Sequence, residues 1–292
     1  MYLAGAYTME TPQGNPLQKY FRQPKIYLSL PSKGKWYSEG SLEFTETGEY
    51  PVYAMTARDE ITIKTPDALL NGESTTSVIQ SCIPHIKNAW NVPLIDLDAI
   101  LLAIRIATYG EKMSVTVNTP VTGEEKEYEV NLRDLLDKFY QEEYIDSVRL
   151  QEMLVSIRPL TYKEFTETSL KTFEEQRIFQ AVTSQDLPES KKLETFNKSF
   201  KKLTDITIFT LEKSISQIDL GDQVVTSPQY IQEFVNNADK HIFESVTDHI
   251  EKERDKFSVK PLKVRATEEE IEKGVPETYD VPITFDQANF FA

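Results

Sequence analysis

The texture of the apolar pattern changes near Pro159, and that change restricts the folds open to this chain. Before Pro159, short runs of period two stand among short helical patterns. Ile26, Leu28 and Leu30 alternate in one run, Met113, Val115 and Val117 in a second, Tyr128 and Val130 in a third. After it, apolar residues recur in three-four steps from Tyr162 to Phe257. Strands followed by a block of helices is the pattern of an α+β fold. The expected order is a flexible N-terminal arm over 1–24, a domain of short strands, hairpins and helices over 25–157, an antiparallel helical domain over 158–257, and an extended C-terminal tail over 258–292.

Within the first domain, Lys25 to Leu30 reads as a strand and Pro31-Ser32-Lys33-Gly34-Lys35 as a turn. Leu42–Thr45 and Tyr50–Met55 read as a hairpin, with Gly48 supplying a positive φ. Thr56 is placed to cap a helix, with Asp59 three residues on. Pro66 starts another helix that Gly72 ends, and Ser74–Cys82 forms a third. A stronger helix spans Asp96 to Tyr109 and closes at Gly110. A second hairpin turns over Pro120–Gly123, after which Asn131 caps a helical pattern reaching about Ile157. The later helices are expected at about Tyr162–Thr183, Glu189–Ile218 and Pro228–Phe257, with no strand among them. Short loops between them imply antiparallel packing.

The charge is -15, a surface that repels phosphate, so nucleic acid is not an expected partner. A lone cysteine, Cys82, rules out an intrachain disulfide. The first six residues lack the basic and apolar regions of a signal peptide. The most apolar window, Leu94 to Ala107, is too short for a bilayer and is broken by Asp96, Asp98 and Arg105. No membrane partner is expected, and the cytoplasm is the expected place of synthesis.

No phosphate-cradling glycine loop and no nucleophile elbow occurs. Cys82 and His85 make a C-x-x-H pair, read as a buried thiol beside a loop histidine. A zinc site needs two more ligands, and His241 and His249 are eight residues apart. Asp96 and Asp98 do not face each other on a helix and read as charges suited to its N-terminus. No catalytic, cofactor or metal residues are assigned, and a Cys/His enzyme is the remote alternative. The candidate partner-binding residues are aromatic. Trp36, Tyr37 and Trp90 lie in turn-like segments, as anchors for a partner or as lids on a small core. Phe285, at the end of a run able to add a strand to a sheet edge, and Phe290-Phe291 complete the set.

Several blocks in one order carry a resemblance. They are Gln23-Pro24-Lys25-Ile26-Tyr27-Leu28-Ser29-Leu30-Pro31-Ser32-Lys33-Gly34, Thr65 to Gly72, Ile79 to Pro84, Ile86 to Trp90, Ile95 to Asp98, and Ala103 to Gly110. Together they resemble the baseplate hub proteins of T-even-type contractile-tailed phages, over Pro24 to about Phe139. The resemblance implies a non-enzymatic protein that builds the tail baseplate hub through contacts with other hub and tail proteins. Two roles follow from it: a structural subunit kept in the virion tail, or an assembly chaperone that holds hub or tape-measure subunits and then leaves. It carries over no catalytic residue and no cofactor.

Overall fold

The computed structural model describes residues 15, 17–64, 72–184 and 188–283. Its fold is α+β, with short antiparallel sheets and long helices. The first core is built on a helix, α3 (Leu94–Tyr109), that is apolar on nearly every side and therefore buried on nearly every side. Ala99, Ile100, Leu102, Ala103 and Ile104 are wholly buried in it. Around it pack β1 (Pro24–Ser29), β2 (Glu49–Tyr53), α1 (Ala57–Ile63), α2 (Glu73–Cys82) and, further on, α4 (Leu132–Phe139).

β2 pairs with β1, Leu28 lying opposite Tyr50, and not with the expected strand at Leu42–Thr45. Leu42 forms a single bridge to Ile86 instead. Leu28, Tyr50 and Val52 all point into the first core, so pairing β1 with β2 buries three large side chains on one face. Thr56 caps α1 as expected, accepting from the Asp59 N–H at 3.2 Å while Asp59 accepts from the Thr56 N–H at 2.8 Å. The helix expected at Pro66 lies outside the described residues.

Arg22, assigned by its sequence to a flexible arm, is bound into this core. Its guanidinium donates to the carbonyls of Ala54 and Ser81, both at 2.6 Å, and reaches Asp59 at 3.4 Å. Arg105 is different. It is buried on α3 with its Nε and Nη1 lacking an acceptor among the described residues, and it lies over the Tyr109 ring at 4.4 Å. A buried cation without a counter-charge is replaceable by an apolar side chain of like length. Arg105→Met should therefore raise stability by about 1 kcal/mol, after losing about 0.5–1 kcal/mol of ring contact. Urea unfolding checks this; a lower midpoint contradicts it.

The second core crosses the boundary expected at residue 157. The helical pattern after Asn131 stops at Phe139, and β5 (Ser147–Leu150) and β6 (Met153–Ile157) form a hairpin. β7 (Ile215–Asp219) and β8 (Val224–Val225) extend it to an antiparallel sheet of order β5-β6-β7-β8. The long helix expected over Glu189–Ile218 thus ends at Ser214. Ile208, Leu211, Ile215 and Ile218 fit a helix face, but the free edge of β6 takes Ile215 and Ile218 into the sheet. The helix expected over Pro228–Phe257 is two, α7 (Pro228–Asn237) and α8 (Lys240–Lys256). Asn236 and Asn237 bond back to their own helix carbonyls, and Asp239 caps α8 through the Ile242 N–H.

Residues 262–281, expected as part of an extended tail, fold. β9 (Leu262–Arg265) and β10 (Thr278–Val281) pair antiparallel around α9 (Glu268–Glu272). Val275, Tyr279 and Val281 pack on Val115, Val117 and Tyr128 of the hairpin β3 (Lys112–Asn118) and β4 (Glu125–Asn131). Lys126–Glu270, at 2.7 Å, and the Tyr128–Tyr279 hydroxyl pair hold this layer in place.

Candidate protein-docking surface

Two helices, α5 (Tyr162–Ser184) and α6 (Glu189–Ser214), pack against each other and carry more apolar side chains than they bury. The base of α5 is rigid. Thr161 and Glu164 exchange capping bonds, and Arg158 grips the Glu164 carboxylate with both nitrogens at 2.9 and 2.7 Å. Burial raises the Glu164 carboxyl, but the Arg158 fork and the Thr161 donors outweigh it and leave it below the usual range. Tyr162 stacks on Trp90 at 5.7 Å, 19° from parallel. The 3-10 turn at Ala89–Asn91 that carries Trp90 leads straight into α3, where Leu94 donates to the Leu160 carbonyl at 2.9 Å.

The seam between the two helices is narrow and small-sided: Thr168, Val182 and Ser199 are buried in it, with Glu175 bound to Lys202 at 2.7 Å. Phe179 meets Phe196 at 4.6 Å and Phe200 at 5.9 Å. Much of the rest is open. Phe173 is 48% exposed, Phe200 57% and Leu193 61%. Exposed large apolar side chains on a helix pair make this a candidate contact surface.

Below it lies a cavity of about 430 Å³. Its walls are Phe165 and Phe173 of α5, Ile206 and Leu211 of α6, and Ile250 of α8, over a floor of Leu94, Tyr144 and Pro159. The lining also holds hydroxyls, and several of them are bonded within their own helices: Thr168, Thr172, Thr210, Ser214 and Thr247 each donate to the carbonyl four residues back. Ser169, Gln176, Glu251 and Arg254 add polar groups to walls that are otherwise apolar. Such a groove suits an apolar side chain or helix face with a few polar groups beside it.

The aromatic residues singled out in the sequence fall around this base. Trp36 is half-buried and meets Tyr144, on the groove floor, edge-on at 5.1 Å. Trp90 supports Tyr162. Tyr37 donates to Asp96 at 3.1 Å, and burial with that neighbouring carboxyl pushes its phenol well up. Phe285, Phe290 and Phe291 lie outside the described residues. Phe165, Phe173 and Phe200 are not among the residues singled out in the sequence, because three-four spacing reads as a packed helical layer with no face left open. The usable signal was their excess: Phe165, Leu170, Phe173, Ile178 and Phe179 do not fit one stripe.

The two carboxylates of the D-x-D do more than suit a helix N-terminus. Asp96 accepts from the Ser32 N–H at 2.7 Å, from the Ser32 hydroxyl and from Tyr37. It so fastens the Pro31–Lys35 turn to α3. Gly34 of that turn sits at φ +80, where a Cβ would come within 2.5 Å of the Phe44 ring, so glycine is favoured there. Asp98 accepts from the Val259 N–H at 3.0 Å, tying in the chain after α8. Burial lifts both carboxyls to about 6.

The Cys82 thiol is pushed up to about 12, first by burial and then by Asp59, so it stays protonated at neutral pH and is a poor nucleophile. His85 lies edge-on to Tyr50. Among the described residues, no group of three or more His, Cys, Asp or Glu is placed to hold a metal ion, and no helix is long and apolar enough to cross a membrane.

The family model described as T4 bacteriophage base plate protein matches residues 23–277. No curated protein and no solved structure matches the chain. The match opens one residue after Arg22 and takes in α5 to α9, well beyond the blocks that carried the resemblance in the sequence.

Proposed function

The chain belongs to the family of T4 bacteriophage base plate proteins, and on that premise we propose that it is a non-enzymatic part of the baseplate hub, acting in tail assembly through protein contacts. The observation that carries this is the largely apolar groove under the α5–α6 pair, with Phe165 and Phe173 open on its walls. The partner is another hub or tail protein that lays an apolar helix face or loop there. Trp36, Tyr37 and Trp90 serve the site from beneath, by holding the groove floor and the start of α5. Phe285, Phe290 and Phe291 are proposed as a second, separate contact. No bound cofactor is part of this reading.

A second reading has its own support. An acidic chain with open apolar helix faces suits a chaperone that holds a basic client and is absent from the mature virion. Mass spectrometry of purified virions and of baseplate precursors separates the two. A hub subunit is present in both; detection in precursors alone selects the chaperone; absence from both removes the hub role.

A further inference from the structure

The charge of this chain is distributed against its total. Residues 189–202, the first half of α6, carry Lys191, Lys192, Lys198, Lys201 and Lys202 against Glu189 and Glu194, in a chain of net charge -15. At about 100° per residue Lys191, Lys198 and Lys201 fall on one side of the helix with Glu194 among them, and Lys202 beside them is paired with Glu175. Lys201 has no ion pair among the described residues, and Lys198 has only the surface pair to Glu194. This is a basic face, and its complement exists on the same chain. On β4, Glu125, Glu127 and Glu129 alternate to one exposed side of the hairpin, while Lys126, Tyr128 and Val130 face the layers beneath. Among the described residues, only Glu129 of the three glutamates has a cation, Lys112 at 2.7 Å.

The dimensions agree. Three alternate residues on a strand span about 13–14 Å. Lys191 to Lys201, ten residues along a helix, spans about 15 Å.

We propose that this chain binds a second copy of itself, the lysine face of α6 in one copy lying along the Glu125-Glu127-Glu129 row of the next. Because the two patches differ, the contact is heterologous and repeats: it closes into a ring or extends as a filament, and does not stop at a two-fold dimer. It uses the outer half of the helix pair and leaves the groove free, so it holds whichever tail protein fills the groove.

Sedimentation velocity on the full chain tests this at salt from about 50 mM to about 500 mM. The expected result is species larger than a dimer at low salt that dissociate as salt rises. Lys191→Glu/Lys198→Glu/Lys201→Glu should be monomeric, and so should Glu125→Lys/Glu127→Lys/Glu129→Lys. Mixing these two variants should restore association, because each supplies the patch that the other has reversed. All six positions are exposed, and matching melting curves confirm that both variants fold. A wild-type monomer at every salt concentration overturns the proposal, as does failure of the mixed variants to associate. Retention of a short duplex DNA by the lysine face in place of self-association overturns it too.

Discussion

Lowering the pH from about 7 to about 5 should make this protein more stable by about 2 kcal/mol, raising Tm by roughly 4 °C. The cause is the pair of carboxyls at the start of α3. Burial raises Asp96 and Asp98 from 3.8 to about 6 in the folded chain, against the hydrogen bonds that pull the other way. A folded-state value above the unfolded one means that the folded chain holds the proton more tightly. The stabilisation is complete below 3.8 and is lost as pH rises through about 6, and each group contributes about 1 kcal/mol across this window. Carboxyls shifted the other way do not cancel it. Glu270, held at about 2 first by Lys126 and then by Thr267, contributes above 4.5 and loses its share only as pH falls through about 2, so it is intact at pH 5. Falling self-repulsion of a -15 chain acts in the same direction, so the assignment needs a variant. Asp96→Asn keeps an acceptor for the Ser32 N–H and sets an amide against hydroxyls able to accept from it. It should remove about half of the gain, and Asp98→Asn most of the rest. Differential scanning calorimetry from pH 5 to 7 decides this; an unchanged pH slope in Asp96→Asn contradicts it.

Phe165→Asp/Phe173→Asp should abolish docking while sparing the fold. Both side chains are part-exposed on the groove wall, so carboxylates there reach water and the expected loss of stability is about 1 kcal/mol. Against a partner, two buried charges replace two aromatic anchors. At about 2 kcal/mol for each anchor lost, affinity falls roughly a thousand-fold. Recovery of the chain with baseplate precursors, measured by immunoblot, should drop below detection while the melting curve stays close to that of the parent. Normal recovery would mean that the groove takes no partner.

Much of the first core was legible in the sequence because its signals are local. Thr56 with Asp59 fixes the start of α1, the apolar run before Gly110 fixes α3, and strict alternation across Gly123 fixes β3 and β4. The failures were choices between partners distant in sequence. Tyr50 and Val52 fit a hairpin with Leu42 as well as a pairing with Leu28, and only the buried face decides. Ile215 and Ile218 continue a helix as well as they begin a strand, until β6 offers an edge. The docking surface was hidden for another reason. Periodicity tells which residues are apolar but not which neighbour is missing, so the three-four pattern that holds Phe200 reads as a packed helical layer and Phe173 does not stand out. Asp96 was legible as a charge but not as the clasp between the Ser32 turn and α3, because that bond spans 64 residues of sequence.

The central claim, that this base plate protein works by docking a tail partner in the α5–α6 groove, is tested most directly by lysine crosslinking with mass spectrometry on baseplate precursors purified from the phage that encodes it. The chain should be present. Lys163 and Lys171 of α5 and Lys252 of α8, each on a helix that lines the groove, should be linked to one other tail protein, and Phe165→Asp/Phe173→Asp should erase those links. Precursors that contain the chain with every link to other tail proteins placed away from these lysines would contradict the claim.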